Sequence, residues 1–434
     1  MAEMGKKGAL DWYFKSNLLI RILIGLVAGA VVGLIVGPGI DVIRPLGMLF
    51  IRLLQMIVVP LIIATLVVGA ASISPARLGK IGIKIVAFYL LTSAFAVAIG
   101  LLVANVIRPG AGMDLAGVTG QAREVTPPAV IDTLLNIVPT NPFAAIAAGQ
   151  VLPIIFFAIV FGIALSYLQI STNERIKAAG NTLFQIFDAA AEIMYIVVRW
   201  ILQYAPIGVF ALIAVVFGTQ GAQAFGPLGM VTLAVYLGIA IHLFGVYGGL
   251  LALNKLSFAR FIAGAREAMI TAFVSRSSGG TLPVTMRNAE EKLGINRTVY
   301  GFTLPLGATI NMDGTAIYQG VCALFIAFAI GMPLALPQQL TIIITAVLAS
   351  IGTAGVPGAG AIMLLLVLDS VGMPVQEGTP VALAYAMILG IDALLDMGRT
   401  GLNVTGDLVG TSLVAKSENE IDLSKWKKGL PPAA

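Results

Sequence analysis

The sequence predicts an all-α polytopic membrane protein, with about eight transmembrane helices and two re-entrant helical hairpins arranged as inverted repeats. Three observations carry this. Hydrophobic residues fill 58% of the 434 positions and charged residues only 11%, against roughly 25% charge in a soluble domain. Apolar stretches of about 20 residues, enough to cross about 30 Å of hydrocarbon, recur along the whole chain. Two further stretches carry polar, glycine-rich tips in their middle.

The first span covers residues 18–37. It is too long for a cleaved signal and is followed closely by a second, 45–72, so it is expected to stay in the mature protein. Gly25, Gly29, Gly33 and Gly37 recur on one face, a spacing that admits a neighbouring helix closely in lipid. Further spans are expected over 81–107, 151–168, 182–218, 228–253, 299–331 and 381–413. The stretch 108–150, rich in Pro, Gly and Thr, reads as an extended outer loop merging into broken helix.

Orientation follows from the basic residues of the short loops. Lys6, Lys7 and Lys15 put the N-terminus inside; Arg77 with Lys80, Arg175 with Lys177, and Lys255 with Arg260 and Arg266 mark successive inner loops. The alternate loops, 218–226 and 331–339, contain no Lys or Arg, and Lys416, Lys425, Lys427 and Lys428 put the C-terminus inside as well. The net charge of +5 is thus explained by membrane topology and gives no reason to expect a nucleic-acid partner. One cysteine, Cys322, and one histidine, His242, exclude an internal disulfide and a Cys/His zinc site.

Residues 258–293 carry the tip Ser275-Arg276-Ser277-Ser278-Gly279-Gly280 between basic inner loops and read as a hairpin entering from inside. Residues 339–373 carry the tip from Ser350 to Gly360 between charge-poor loops and read as a hairpin entering from outside. Irregular backbone at membrane depth is tolerated only where protein buries it or where it lines a watery cavity. Each hairpin precedes a span with its own polar interruption, Asn311-Met312-Asp313-Gly314-Thr315 and then Asp396-Met397-Gly398-Arg399-Thr400. A hairpin plus a broken helix, repeated from opposite sides, is the pattern of a secondary transporter with its site between the halves.

In the last span Asp392, Asp396, Arg399, Thr400, Asn403 and Asp407 form one polar stripe. An internal salt bridge between Asp396 and Arg399 is the bland reading. Each ionisable group at a helix centre costs roughly 2.5 to 3.5 kcal/mol on insertion scales, however, so four are hard to justify as packing. Asp392, Asp396 and Asp407 against Arg399 leave two negative charges, and Asp313 adds a third. Buried carboxylates must be paired, protonated or coordinated, so cations or protons belong to the mechanism. Asp313 and Asp407 stand beside Asn311, Asn403 and glycine-rich backbone, a hard oxygen set that suits Na⁺. The planar fork of Arg399 matches a substrate carboxylate, and Asp396 is placed to take an ammonium. Together they describe an acidic amino acid, with the hairpin tips offering backbone N–H groups to its other carboxylate.

Other features are discounted. Gly355, Gly358 and Gly360 follow no strand, so they make no nucleotide loop. The sequon at Asn403 lies in a span and the one at Asn296 on the inner side. His242 reads as a packing or helix-contact residue rather than a proton relay. Asp188 and Glu192 offer relay groups, but they lie toward the inner end of their span, where simple exposure to water is the alternative. An intramembrane aspartyl protease would need two carboxylates sharing a proton, and Asp392 and Asp396 have Arg399 beside them, so no enzyme is expected. A proton-coupled dicarboxylate carrier and, from another class, an ion channel remain as rivals.

At these motifs the sequence resembles the glutamate transporter family, the dicarboxylate/amino acid:cation symporters, and is most similar to its archaeal sodium-coupled aspartate branch. The resemblance covers essentially the whole chain. It is carried by Arg276-Ser277-Ser278, Asn311 to Thr315, Gly352-Thr353-Ala354-Gly355-Val356-Pro357-Gly358, and Asp396 to Asp407. It implies a sodium-driven symporter of acidic amino acids, with aspartate favoured over glutamate, working as a homotrimer in the bilayer of a prokaryotic plasma membrane. Scaffold helices would lie in 10–77 and, after an outer loop, in 109–218; a moving block would lie in 78–108 and 219–416, with a cytoplasmic tail over 417–434.

The same resemblance implies site residues. Arg399 would hold the substrate's side-chain carboxylate, helped by Thr315, with Asp396 on the amino group. Asn403 and Ser278 would take the α-carboxylate, Val356 and Gly360 would close over the substrate, and Arg276, Ser277 and Thr400 would complete the pocket. About three sodium ions are implied. Their sites would use Gly307, Asn311, Asn403 and Asp407; then Thr309, Met312, Ser350, Ile351 and Thr353; then Tyr89, Thr92, Ser93, Asn311 and Asp313. One departure stands out: Gly279 occupies a place where the family commonly has serine.

Overall fold

A computed structural model of the chain describes residues 16–72, 75–113, 115, 135, 138–351, 353, 355–376 and 378–427. Lys6, Lys7, Lys15 and Lys428, most of the expected outer loop, and Gly352 and Ala354 of the second tip lie outside the described residues.

Helix α1 (Leu18–Val36) is capped by the side chain of Asn17 and ended by Gly37, whose φ of 67° favours glycine. Its glycine face packs backbone to backbone on α5 (Glu174–Gln220): a Cβ on Gly29 would lie 2.6 Å from the carbonyl oxygen of Phe210, and Gly25 and Gly33 meet Pro206 and Ala214 in the same way. Close approach replaces the hydrophobic drive that lipid does not supply. Gly37 ends the helix, and its carbonyl meets α5 at Gly218, where a Cβ would lie 2.6 Å from it. Helices α2 (Arg44–Ser72) and α4 (Val151–Gln169) pack on α5 as well, completing a group of four.

The second group gathers around two buried helices. Helix α3 (Pro75–Ile107) is broken at Gly79, φ 52°. Helix α6 (Phe225–Ile241) runs on through a π-helical turn over His242–Tyr247 and a last turn over Gly248–Leu253. The first hairpin is α7 (Phe258–Ser275) and α8 (Ser278–Arg287). Its turn is built from Arg276 in the left-handed region, φ 55°, and Ser277, which caps α8 by accepting from Gly280 N.

Helix α9 (Arg297–Ile310), capped by Asn296, stops where Asn311 and Met312 leave helical geometry, and α10 (Asp313–Ala329) restarts at once. The second hairpin is α11 (Leu336–Ser350) and α12 (Ala359–Ser370), and α13 (Pro380–Ser417) follows. Helix α10 packs against α3, α6, α11, α12 and α13 and is buried along nearly its whole length. Apolar side chains face outward elsewhere, among them Ile24, Ile186 and Trp200, as lipid contact requires.

One expectation changes. The last span was expected to be interrupted at Asp396–Thr400, but α13 is one unbroken helix of 38 residues. Its polar side chains find partners across the bundle, no proline lies between 381 and 417, and the backbone ladder therefore continues. The start of the expected tail is built into the fold. Residues 418–427 turn back to clasp the link between α8 and α9: Trp426 Nε1 donates to Leu293 O at 2.8 Å, Asp422 N to Gly294 O at 2.8 Å, and Lys425 Nζ to Glu290 O at 2.9 Å.

Candidate functional site

Both hairpin tips, the α9–α10 break and the middle of α13 meet in the core of the second group. Ser277 Oγ donates to Gly355 O at 2.8 Å and Gly279 N to the same oxygen at 3.2 Å, so the two tips touch directly. Ser278 is buried beside them, and its Cβ would lie 3.3 Å from a Cβ on Gly355. Gly279 joins this contact through its backbone, and a Cβ there would sit an ordinary 3.6 Å from Gly355 O. The missing serine hydroxyl therefore leaves the tip contact intact.

Arg399 is fully buried. Its Nη1 donates to Asp392 Oδ1 at 2.9 Å, its Nη2 lies 2.8 Å from Asp396 Oδ1, and its Cζ stands 4.1 Å over the ring of Tyr318. Its Nε donates to the same Asp396 oxygen at 3.3 Å. Asp396 also accepts from Gly358 N at 3.1 Å and from Thr400 Oγ at 3.4 Å. The second tip thus closes onto the same carboxylate that pairs with Arg399. Gly360 leaves space here, since a Cβ on it would lie 3.0 Å from Arg399 Cζ and 3.1 Å from Thr315 Cγ2. Arg276 and Asp392 line one narrow crevice with Pro357 and Gly358, next to Val356. Asn403 is occupied: its Oδ1 accepts from Gly314 N at 2.8 Å, and its Nδ2 donates to Met312 Sδ at 3.1 Å and Thr315 Oγ at 3.4 Å.

The expected cation ligands converge in part. Asn311 Nδ2 donates to Asn403 O at 2.9 Å and Asp407 Oδ1 at 3.1 Å, while Asn311 Oδ1 is buried with no partner. A Cβ on Gly307 would fill the space between Asp407 and the Tyr89 hydroxyl. An orphaned carbonyl oxygen beside a buried carboxylate is a donor set that fits a hard cation. Among the described residues no Lys or Arg pairs with Asp313 or Asp407, and no cluster of three His, Cys, Asp or Glu side chains forms a transition-metal site.

Ser93 Oγ donates to Asp313 Oδ1 at 2.6 Å, but Tyr89 OH turns to Thr303 O at 3.1 Å and Thr92 Oγ to Phe88 O on its own helix. Thr309, Ile351 and Thr353 line one cavity of about 400 Å³ with Asp188 and Glu192 opposite. Ser350 is buried and spends its hydroxyl on Val347 O.

Four partners escaped the sequence reading. Asp392 was on the stripe but was given no role, although it is the best-aligned partner of Arg399. Tyr318 carried a usable signal, being one turn beyond Thr315 on the same helix. His242 and Tyr247 both reach Asp313, and only the path of α6 brings them there.

The model of the sodium:dicarboxylate symporter family matches residues 18–417. The chain is 34% identical to a proton/sodium-glutamate symport protein of Bacillus caldotenax, over 98% of each chain. It is 34% identical to a proton/glutamate-aspartate symporter of Escherichia coli (strain K12), over 96% of this chain and 95% of the other. A C4-dicarboxylate transport protein of Deinococcus radiodurans is 33% identical, over 95% of this chain and 91% of the other. With the meeting of hairpin tips and buried charges described above, these matches over nearly the whole length lead to one conclusion: the chain belongs to the sodium:dicarboxylate symporter family.

Proposed function

We propose that this protein is a secondary active symporter of a prokaryotic plasma membrane that takes up an acidic amino acid, L-aspartate in preference to L-glutamate, on a sodium gradient. The observation that carries the reading is Arg399, fully buried between Asp392 and Asp396 with the second tip's Gly358 N–H on Asp396. One guanidinium and one carboxylate within hydrogen-bond reach match the side-chain carboxylate and the ammonium of such a substrate.

Asp313 and Asp407 would repel that substrate unless cations neutralise them first. Sodium binding at the Asn311–Asp407 and Asp313 sets, with a third ion near Thr309 and Thr353, therefore precedes substrate binding, and about three ions are carried per cycle. Coupling is the difference in substrate affinity between loaded and empty states. The second tip is the gate: its Gly358 and Gly360 let the backbone pass close to Asp396 and Arg399, and its Gly355 meets the first tip.

Residues 78–108 and 219–416 would move as one block against scaffold helices in 10–77 and 109–218, in an elevator movement within a homotrimer. The looser packing between the two helix groups supports this division. Both termini would lie in the cytoplasm, and residues 418–427 would travel with the moving block that they clasp.

A second reading, proton-coupled uptake of glutamate or a dicarboxylate, is favoured by the names of the Escherichia coli and Deinococcus radiodurans relatives, a proton/glutamate-aspartate symporter and a C4-dicarboxylate transport protein. Uptake of labelled L-aspartate into liposomes, under a sodium or a proton gradient at matched membrane potential, separates the two. Accumulation driven by sodium alone supports the first reading, and accumulation driven by protons alone overturns it.

A further inference from the structure

Asp313 opens α10, where the helix N-terminus favours a negative charge. Ser93 Oγ donates to its Oδ1 at 2.6 Å. Its other oxygen, Oδ2, has two partners of its own: Tyr247 OH at 2.7 Å and His242 Nε2 at 3.1 Å. All three side chains are fully buried, and the His242 and Tyr247 rings meet edge to face at 4.6 Å.

His242 and Tyr247 are the two ends of the π-helical turn that interrupts α6. In an α-helix, residues five apart diverge by about 140° around the axis. A π-turn closes its hydrogen bonds from i to i+5 and so brings those residues to one face. The irregularity in α6 thus places two donors on a single carboxylate oxygen. Gly406 of α13 leaves the space in which the Tyr247 hydroxyl lies against Asn311.

We infer that His242 and Tyr247 are positioning residues for the cation site at Asp313, holding Oδ2 so that Oδ1, beside Ser93, is the oxygen presented to the cation. The inference rests on the sodium-coupled reading above and deepens it. Ligating carboxylates held by hydrogen bonds from neighbouring side chains are pre-oriented, and removing such a partner typically weakens cation binding by about 10- to 100-fold. Facing a carboxylate oxygen, which accepts, the imidazole acts here as a donor through Nε2, a role that a carboxamide can reproduce.

The test is calorimetric titration of the purified protein with L-aspartate across a series of sodium concentrations, on the unsubstituted chain, His242→Leu, His242→Gln and Tyr247→Phe. His242→Leu and Tyr247→Phe are expected to raise the half-saturating sodium concentration by about tenfold or more, with aspartate affinity at saturating sodium unchanged. His242→Gln is expected to restore the unsubstituted sodium dependence. A general packing role would lower melting temperature and aspartate affinity together and would not be rescued by glutamine.

Unchanged sodium dependence in Tyr247→Phe and His242→Leu overturns the inference. Should His242→Leu fail to fold, Tyr247→Phe, which removes only a hydroxyl, decides alone. Sodium-independent aspartate binding by the unsubstituted chain would instead overturn the coupling reading, a result distinct from any effect of the variants.

Discussion

Ser277 of the first hairpin donates its hydroxyl to the carbonyl of Gly355 in the second at 2.8 Å, joining two tips 78 residues apart in sequence. Behind that contact lie Arg399 and its two carboxylates, so the tips and the buried charges form one unit.

Arg399→Cys is expected to abolish binding of acidic substrates, with L-aspartate affinity falling by about 100-fold or more, because the charged hydrogen bonds lost are each worth about 1.5–3 kcal/mol. It also strands Asp392 and Asp396, a change of the kind that costs about 3–5 kcal/mol in stability. Adding Asp392→Asn should recover part of the melting temperature and none of the aspartate affinity. Calorimetry and thermal unfolding read the two effects separately, and aspartate affinity retained in Arg399→Cys would remove the arginine from the substrate site.

Gly360→Ala adds a Cβ 3.0 Å from the guanidinium carbon of Arg399 and 3.1 Å from Thr315 Cγ2. Arg399 is held by Asp392 and Tyr318 and has little room to give. Overpacking of this kind typically costs about 1–3 kcal/mol. The expected outcome is a loss of aspartate affinity of roughly tenfold, with sodium binding in the absence of substrate unaffected.

Gly279→Ser restores the residue common in the family. The new Cβ meets only Gly355 O at 3.6 Å, and the backbone N–H of residue 279 keeps its bond to that oxygen. Aspartate affinity should equal or exceed that of the unsubstituted chain, as measured by calorimetry at fixed sodium. A fall would mean that the tip needs the flexibility of glycine.

Glu418, just beyond α13, has its carboxyl held below the ordinary range by the hydrogen bond from Lys84 and then by Lys80. A depressed folded pKa stabilises the folded state above the unfolded pKa, about 4.3, and that contribution is lost as pH falls through the folded value. Glu418→Gln should therefore lower the melting temperature slightly at neutral pH, and the difference from the unsubstituted chain should vanish in acid. High salt should shrink it as well, because the pair lies at the surface.

Much of the architecture was legible in the chain itself. The first span, expected over 18–37, is α1 at Leu18–Val36, and the hairpin turn at Arg276 and the break at Asn311 fall where polar residues interrupt apolar runs. The polar stripe of α13 named Arg399, Asp396, Asn403 and Asp407, all of which are buried. The expected break in α13 failed because a polar cluster interrupts a helix only when its side chains compete with the backbone, and here they bond to one another and to facing helices.

The sequence by itself determined the membrane class, the order of spans and hairpins, and which buried residues carry charge. Those properties are local: apolar length and helical period are written within about 20 consecutive residues. Tertiary structure alone decided who pairs with whom. Asp392 took Arg399, the α6 π-turn brought His242 and Tyr247 to Asp313, and Ser93 reached the same carboxylate from 220 residues away. A buried polar group must find a partner wherever packing supplies one, and that choice depends on how helices distant in sequence come to lie side by side.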